Sequence, residues 1–218
     1  MKLYLNTVSD LLWNSLNKIM EFDELKVFRL VGGTSLSLQL GHRESVDIDL
    51  FTDADYGSVD FSRLGQILND NFDYVETSGN GEVGMGKPFF IGNSQKESIK
   101  LDLFYTDTFV FPAVKIEELQ LASIEEIAAM KLEVICQGGR KKDFWDIHEL
   151  AEKYSLDDML EFYFKRYPYG FQRSEVIDKL TDFENAEYDF TPNCYKDKIW
   201  EIIKIDIEEM KEKLKPNA

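Results

Sequence analysis

Cysteine and histidine are nearly missing from this 218-residue chain: Cys136 and Cys194 stand alone, and His42 and His148 are the only histidines. Two cysteines so far apart make neither a disulfide framework nor a zinc cluster, and two histidines exclude a histidine-rich metal centre. A reducing cytoplasm suits such a chain. Long apolar runs are missing too. Met1 to Met20 is interrupted by Asn6, Ser9, Asp10, Asn14 and Asn17, so no signal peptide is read there, and no other segment is apolar enough to span a membrane. Positive charge is in deficit: 25 Lys+Arg against 41 Asp+Glu leaves a formal net charge of -16. Such a surface opposes sequence-independent nucleic-acid binding, because a polyanion gains no general counterion release there. Any RNA or DNA partner then needs a local basic patch. Arg140-Lys141-Lys142 and Lys165-Arg166 are the candidates, unless they are only solvated helix ends.

What is present is core material and pattern. Hydrophobic residues make up 44% of the chain, with 16 Phe and 10 Tyr, ample core material, and the length fits one large domain or a small domain with a helical partner, two lobes being expected. Leu11, Leu12, Leu16, Ile19 and Met20 recur at helical spacing behind a capping Ser9. Lys26 to Val31 reads as a strand, Gly32-Gly33 breaks it, and Thr34 to Leu40 reads as a short helix. Val46 to Phe51 alternates apolar and acidic residues with a period of two, a strand pattern. A helix from Phe61 to Phe72 precedes strands at Asp73 to Thr77, Lys87 to Ile91 and Ser98 to Tyr105, separated by turns rich in Gly and Asn. From about Leu119 the pattern turns helical. Ser123-Ile124-Glu125-Glu126 is a capping-box signature opening a helix that Gly138-Gly139 ends. Further helices are expected at Lys142 to Tyr154, Leu156 to Tyr167, Ser174 to Leu180 and Tyr195 to Leu214. The expected fold is α+β: a mixed sheet with helices over residues 1–118, then a helical lobe over 119–218, with no internal repeat.

In a strand, alternate side chains share a face, so Asp47 and Asp49 project together about 7 Å apart while Ile48 and Leu50 enter the core. Asp102, within Ile99-Lys100-Leu101-Asp102-Leu103-Phe104, offers a third carboxylate in another expected strand. Like charges this close are costly unless solvated or neutralised, and hard oxygen donors favour magnesium over zinc. The plain alternative is that the acids line the wet side of a half-exposed sheet. The glycine pair upstream favours the site, since glycines between a strand and a helix start let backbone amides approach phosphate oxygens.

Two charges fall on apolar helix faces. At about 100° per residue, Lys131 lies amid Ile124, Ile127, Ala128 and Ile135, and Asp143 lines up with Ile147, Leu150 and Tyr154. They form an ion pair tying two helices together, or Asp143 favours its helix start through the dipole, or Lys131 meets a triphosphate while Asp143 orients it. Ser45 either orients Asp47 or only shapes the turn. His148 reads as a surface or packing residue, and Trp13, Trp145, Trp200 and Phe162-Tyr163-Phe164 read as packing.

Gly32-Gly33, thirteen intervening residues, then Asp47-Ile48-Asp49-Leu50 resembles the signature of the DNA polymerase β-type nucleotidyltransferase superfamily, with Asp102 matching its later third acid. More narrowly, the run G-G-T-S-L-S-L-Q-L-G-H-R-E-S-V-D-I-D-L-F from Gly32 to Phe51 is similar to the AbiEii/AbiGii-type nucleotidyltransferase toxins of bacterial toxin–antitoxin and phage-defence systems. M-K-L-E at Met130 to Glu133 and R-K-K-D-F-W-D-I at Arg140 to Ile147 resemble the later lysine and aspartate motifs of those toxins. The resemblance covers roughly Phe28 to Leu150. It implies a polymerase β-like core that moves NMP from an NTP to an acceptor hydroxyl, with two Mg2+ ions held by Asp47, Asp49 and Asp102. It implies nucleotide contacts from Gly32, Gly33, Thr34, Ser35, Arg43, Ser45 and Lys131, and a late aspartate, Asp143 in preference to Asp146. The implied acceptor is a tRNA 3′ end, and the implied partner an antitoxin encoded nearby. Two alternatives stand beside this. One is NMP transfer to a protein side chain or to a small molecule such as an aminoglycoside, for which an acidic surface is no handicap. The other is an inactive protein that binds a nucleotide or partner, which the presence of all three acids opposes.

Overall fold

The computed structural model describes residues 2–77 and 84–215. The chain forms two compact units, Met1–Gly41 with Ser45–Ala122, and His42–Glu44 with Ser123–Ala218.

The first unit opens with α1 (Asp10–Met20), whose cap Ser9 accepts a hydrogen bond from Leu12 N and whose buried stripe is Leu12, Leu16, Ile19 and Met20. There follow β1 (Arg29–Leu30), α2 (Gly32–Leu40), β2 (Ile48–Thr52), α3 (Phe61–Asn71), β3 (Tyr74–Thr77), β4 (Gly86–Ser94), β5 (Glu97–Tyr105), β6 (Val114–Ile116) and β7 (Leu119–Leu121). The strands make one mixed sheet in the order β3-β4-β5-β2-β1-β7-β6. β2 runs parallel to β5, with Ile48 opposite Leu101, Asp49 opposite Asp102 and Leu50 opposite Leu103, and antiparallel to β1. Period-two alternation does the rest. Ile48, Leu50, Leu101 and Leu103 are wholly buried, in one core with Leu12 and Leu16 of α1 and Leu64 and Leu68 of α3. The acids between them are left on the other face.

The structure corrects several expected elements. The strand expected from Lys26 shrinks to Arg29–Leu30 because Lys26 N donates to Asp23 O and Phe28 N to Leu25 O, which commits that stretch to a turn. α2 starts at Gly32, so the glycine pair lies inside its first turn rather than before it. Leu119–Leu121 is a strand where a helical pattern was expected. Two leucines around Gln120 fit either period, and pairing with β1 and β6 decides for the sheet. The Gly/Asn-rich turn expected between β3 and β4 falls at 78–83, outside the described residues.

The second unit is helical, with α4 (Ile124–Cys136), α5 (Lys141–Leu150), α6 (Leu156–Arg166), α7 (Arg173–Leu180), α8 (Glu184–Glu187) and α9 (Trp200–Glu212). Ser123 caps α4 by accepting from Glu126 N, and Gly138 adopts φ +94° just past its end. α9 begins later than the periodicity implies, because Tyr195 N donates to His42 O instead of entering a helix. The aromatic residues read as packing do pack: Trp145 and Trp200 stack at 5.9 Å, and Tyr163 is fully buried. Among the described residues, no helix is long and apolar enough to cross a membrane.

Leu101 is fully buried in the centre of the sheet. Leu101→Ala is expected to lower unfolding stability by about 2–5 kcal/mol in urea titrations. A loss under about 1 kcal/mol would be incompatible with this core.

Candidate active site

The sheet brings the expected acids of the first unit to neighbouring positions. Asp49 and Asp102 are direct partners on the parallel pair β2 and β5, so their backbones are about 5 Å apart, and Asp47 immediately precedes β2. All three side chains are half-buried. Gly32 faces them with φ +66°, and a Cβ added there would stand 2.6 Å from Asp49 Oδ2. The glycine therefore answers two demands at once, a left-handed backbone and room for a carboxylate. Thr34 Oγ1 donates to the backbone oxygen of Asp47. With its one proton so engaged, it accepts from Ser45 Oγ at 2.8 Å. Ser45 thus acts on Asp47 through Thr34 and shapes the turn as well.

Not every expected nucleotide contact is presented outward. Thr34 and Ser35 are fully buried. Thr34 is engaged with Asp47 and Ser45, and the Ser35 hydroxyl lies 3.5 Å from Ala122 O and accepts from Gln39 Nε2. Both hydroxyls hold the helix start in place, which leaves the glycine backbone as the part of this turn open to close approach.

Lys100, which the sequence reading did not single out, reaches Asp102 Oδ2 with its ammonium at 2.5 Å. Burial pushes the Lys100 ammonium down, but the bond to Asp102 and the charges of Asp102, Asp47 and Asp49 outweigh it and hold its pKa above the ordinary value. One lysine therefore lies within the field of all three acids. The signal available in the sequence was its place two residues before Asp102, on the same face of β5.

Asp102 Oδ1 is buried and has no hydrogen-bond partner. An orphaned carboxylate oxygen in an all-oxygen acidic setting fits a hard divalent cation. Among the described residues, however, no three His, Cys, Asp or Glu side chains are gathered tightly enough to hold an ion by themselves.

The other expected site residues lie in the second unit and form a buried network of their own. Asp146 is its hub. Arg43 grips it with Nε at 2.7 Å from Oδ1 and Nη2 at 2.8 Å from Oδ2, His42 Nε2 lies 2.7 Å from Oδ1, and Lys131 Nζ lies 2.7 Å from Oδ2. Lys131 also donates to Asp143 Oδ1 at 2.6 Å, and Asp143 Oδ2 accepts from Arg140 N at 2.9 Å at the start of α5. The ion pair between Lys131 and Asp143 and the helix-start role of Asp143 thus coexist. Asp146 is the more engaged of the two aspartates. Burial raises its pKa, but the charges of Arg43 and Lys131 and the bonds from His42 and Arg43 outweigh that and hold it well below the usual carboxylate range. Lys131 is pushed down by burial and more than restored by Asp146 and Asp143, ending above its ordinary value.

The expected basic patches are largely neutralised. Arg140 pairs with Asp189 at 3.1 Å, Lys141 is buried with its ammonium on Glu187 O, and Arg166 is buried against Glu126. The reason is spacing: Arg166 closes α6 on the side facing α4, so it reads as a charged helix end in sequence and is an internal pair in the fold.

The model of the family described as "Nucleotidyl transferase AbiEii toxin, Type IV TA system" matches residues 16–217. The uncharacterized protein aq_aa25 of Aquifex aeolicus (strain VF5) is 30% identical over 179 residues, which are 79% of this chain and 81% of that protein. JHP933 from Helicobacter pylori is similar in structure with a TM-score of 0.58 at 18% identity, over 94% of this chain and 92% of that one. MenT4, the nucleotidyltransferase toxin Rv2826c from Mycobacterium tuberculosis H37Rv, is similar with a TM-score of 0.56 at 14% identity, over 91% and 84%. At these identities the two structures speak for the fold, and the α+β fold read from the sequence is the one they share.

Gly32→Ala is expected to lower stability by about 1 kcal/mol or more in thermal unfolding, since φ +66° and the Asp49 carboxylate both exclude a methyl group. An unchanged unfolding curve would mean that Asp49 is not seated on the glycine. Asp146→Asn leaves Arg43 and Lys131 buried without their shared anion and is expected to cost about 3–5 kcal/mol. A carboxyl whose folded pKa lies below its unfolded value of about 3.9 stabilises the fold above that value, and the contribution fades as pH falls from there towards the folded pKa. Wild-type stability should therefore drop below about pH 4, and the asparagine variant should show a shallower drop. Identical acid profiles would remove Asp146 from this role.

Proposed function

We propose, from the premise that this chain belongs to the AbiEii nucleotidyltransferase toxin family, that it transfers NMP from an NTP to an acceptor hydroxyl at the face formed by Asp47, Asp49 and Asp102. The family makes the chain a nucleotidyltransferase, so the binding-only reading falls away. The observation that carries the site is the register of β2 and β5, which sets Asp49 directly beside Asp102 opposite Gly32. Asp47, Asp49 and Asp102 would hold magnesium, which when bound supplies Lewis-acid polarisation of the phosphate and a lower pKa for the attacking hydroxyl.

The chain's own residues do the remainder. The acceptor oxygen bonds to the α-phosphorus, the bond from that phosphorus to the bridging oxygen of the β-phosphate breaks, and pyrophosphate leaves. Asp102 Oδ1, without a partner in the fold, takes the acceptor's proton. Lys100 keeps the same carboxyl oriented through Oδ2. The glycine start of α2 lets phosphate oxygens approach the backbone, with the helix N-terminus favouring their charge. A phosphate contact from Lys131 or Arg43 would require each to leave its carboxylate partners, so we assign them, with Asp143, to holding the second unit.

For the acceptor, family membership favours the toxin reading: a tRNA 3′ end, with a cognate antitoxin as silencing partner in a cytoplasmic setting. A specific observation favours the second reading, a protein or small-molecule acceptor. The net charge is -16, and Arg140 and Arg166 already have carboxylate partners.

Incubation with each α-labelled NTP, Mg2+ and total bacterial RNA, resolved on a gel, tests both. Label in a tRNA band supports the toxin reading, and label only in protein or small products supports the second. Asp49→Asn and Asp102→Asn are expected to lose more than about a hundredfold in labelling while circular dichroism is unchanged. Labelling at the wild-type rate in either variant would remove the site assignment.

A further inference from the structure

On α9 the buried positions are Trp200, Ile203 and Ile207, yet Ile202 and Ile205 on the outward side are each half exposed. Beside them, after α8, Tyr188 is 94% and Phe190 88% exposed. Outward helix positions of an isolated soluble unit are ordinarily polar, and clustered exposed apolar side chains mark interaction surfaces. Two of them, Tyr188 and Ile205, line a groove of ≈ 570 Å³ between α8 and α9, together with Phe183.

The groove has a definite charge. The one cation among its described lining residues, Lys204, is held by Glu187 at 2.9 Å, and Glu187 also accepts from Trp200 Nε1 at 3.1 Å. Glu184, Glu201 and Glu208 complete the lining, and among the described residues none of the three lies in an ion pair with a cation, although Glu184 contributes to the field at Lys179. On α9, Glu201, Ile205 and Glu208 recur at i, i+4 and i+7, a stripe with an apolar residue between two acids. Such a lining repels RNA phosphates, whatever the stacking capacity of Tyr188 and Phe190, and repels a second copy of a chain with net charge -16. Its complement is a segment that is apolar on one side and cationic at the flanks.

We propose that the groove between α8 and α9 docks a basic amphipathic segment of a partner protein, with apolar side chains on Tyr188 and Ile205 and Lys or Arg side chains on Glu184, Glu201 and Glu208. The contact involves none of the residues assigned to catalysis, so it stands or falls apart from the nucleotidyl-transfer reading. Charge complementarity sets the on-rate and the choice of partner, and the apolar floor sets how long the complex lasts.

The full chain is tested with an amphipathic leucine/lysine peptide about four helical turns long, its leucine/glutamate counterpart, and a single-stranded RNA as probes. The expected result is binding of the lysine peptide alone, with hydrogen-exchange protection over 183–188 and 200–208. The double variant Glu201→Lys/Glu208→Lys should lose at least about tenfold in affinity, while Glu21→Lys/Asp70→Lys, an equal charge change in the first unit, should lose less than about threefold. Equal losses in the two double variants, protection elsewhere, or binding of the glutamate peptide or the RNA in the groove would overturn the proposal. So would a concentration-dependent dimer that protects the groove by itself, which would make the occupant a second copy.

Discussion

Two carboxylates directly opposite one another on adjacent strands repel, and the first unit is arranged around holding Asp49 and Asp102 in that position. The repulsion is met from below and from the side. Beneath, the alternating Ile48, Leu50, Leu101 and Leu103 anchor both strands in a core that cannot shift without opening cavities. At the side, the Lys100 ammonium offsets part of the negative charge, and Gly32 yields the space that a side chain would otherwise fill. Such a cluster is held against its own repulsion by the strands beneath it and by one lysine beside it.

The second unit solves the opposite problem. Its charges are drawn inside and cancelled there: Arg43 and Lys131 against Asp143 and Asp146, Arg166 against Glu126. Buried pairs of this kind add little net stability over an apolar core, but removing one member strands the other in a low-dielectric interior. The short stretch His42–Glu44 belongs to this unit through Asp146, and Tyr195 N and Asn193 O extend the attachment along the backbone. Other acidic residues remain outside, and Glu184, Glu201 and Glu208 line the groove between α8 and α9.

Much of this was legible in the sequence. The apolar-acidic alternation of 46–51 and the glycine pair, separated from Asp47 by thirteen residues, identified both the strand and its exposed face, because period-two geometry is local. The helical spacing of apolar residues in the C-terminal half identified its longer helices for the same reason, while the single-turn α8 went unread. Their ends were less legible, since Leu119–Leu121 and the start of α9 are decided by partners far away in sequence, β1 in one case and His42 in the other.

Residue types and their faces were thus determined by the sequence alone: Asp49 and Asp102 on the outer face of strands with Asp47 just before the first of them, a lysine and an aspartate on the inner faces of helices. Only the tertiary structure decided which of them meet. Register put Asp102 beside Asp49, and no local pattern encodes a parallel register between residues fifty-three apart. Helix packing made Asp146 rather than Asp143 the hub, and turned Arg166 from an apparent solvated helix end into a buried partner, because the sign of a side chain is written in the sequence while its burial depends on what folds over it.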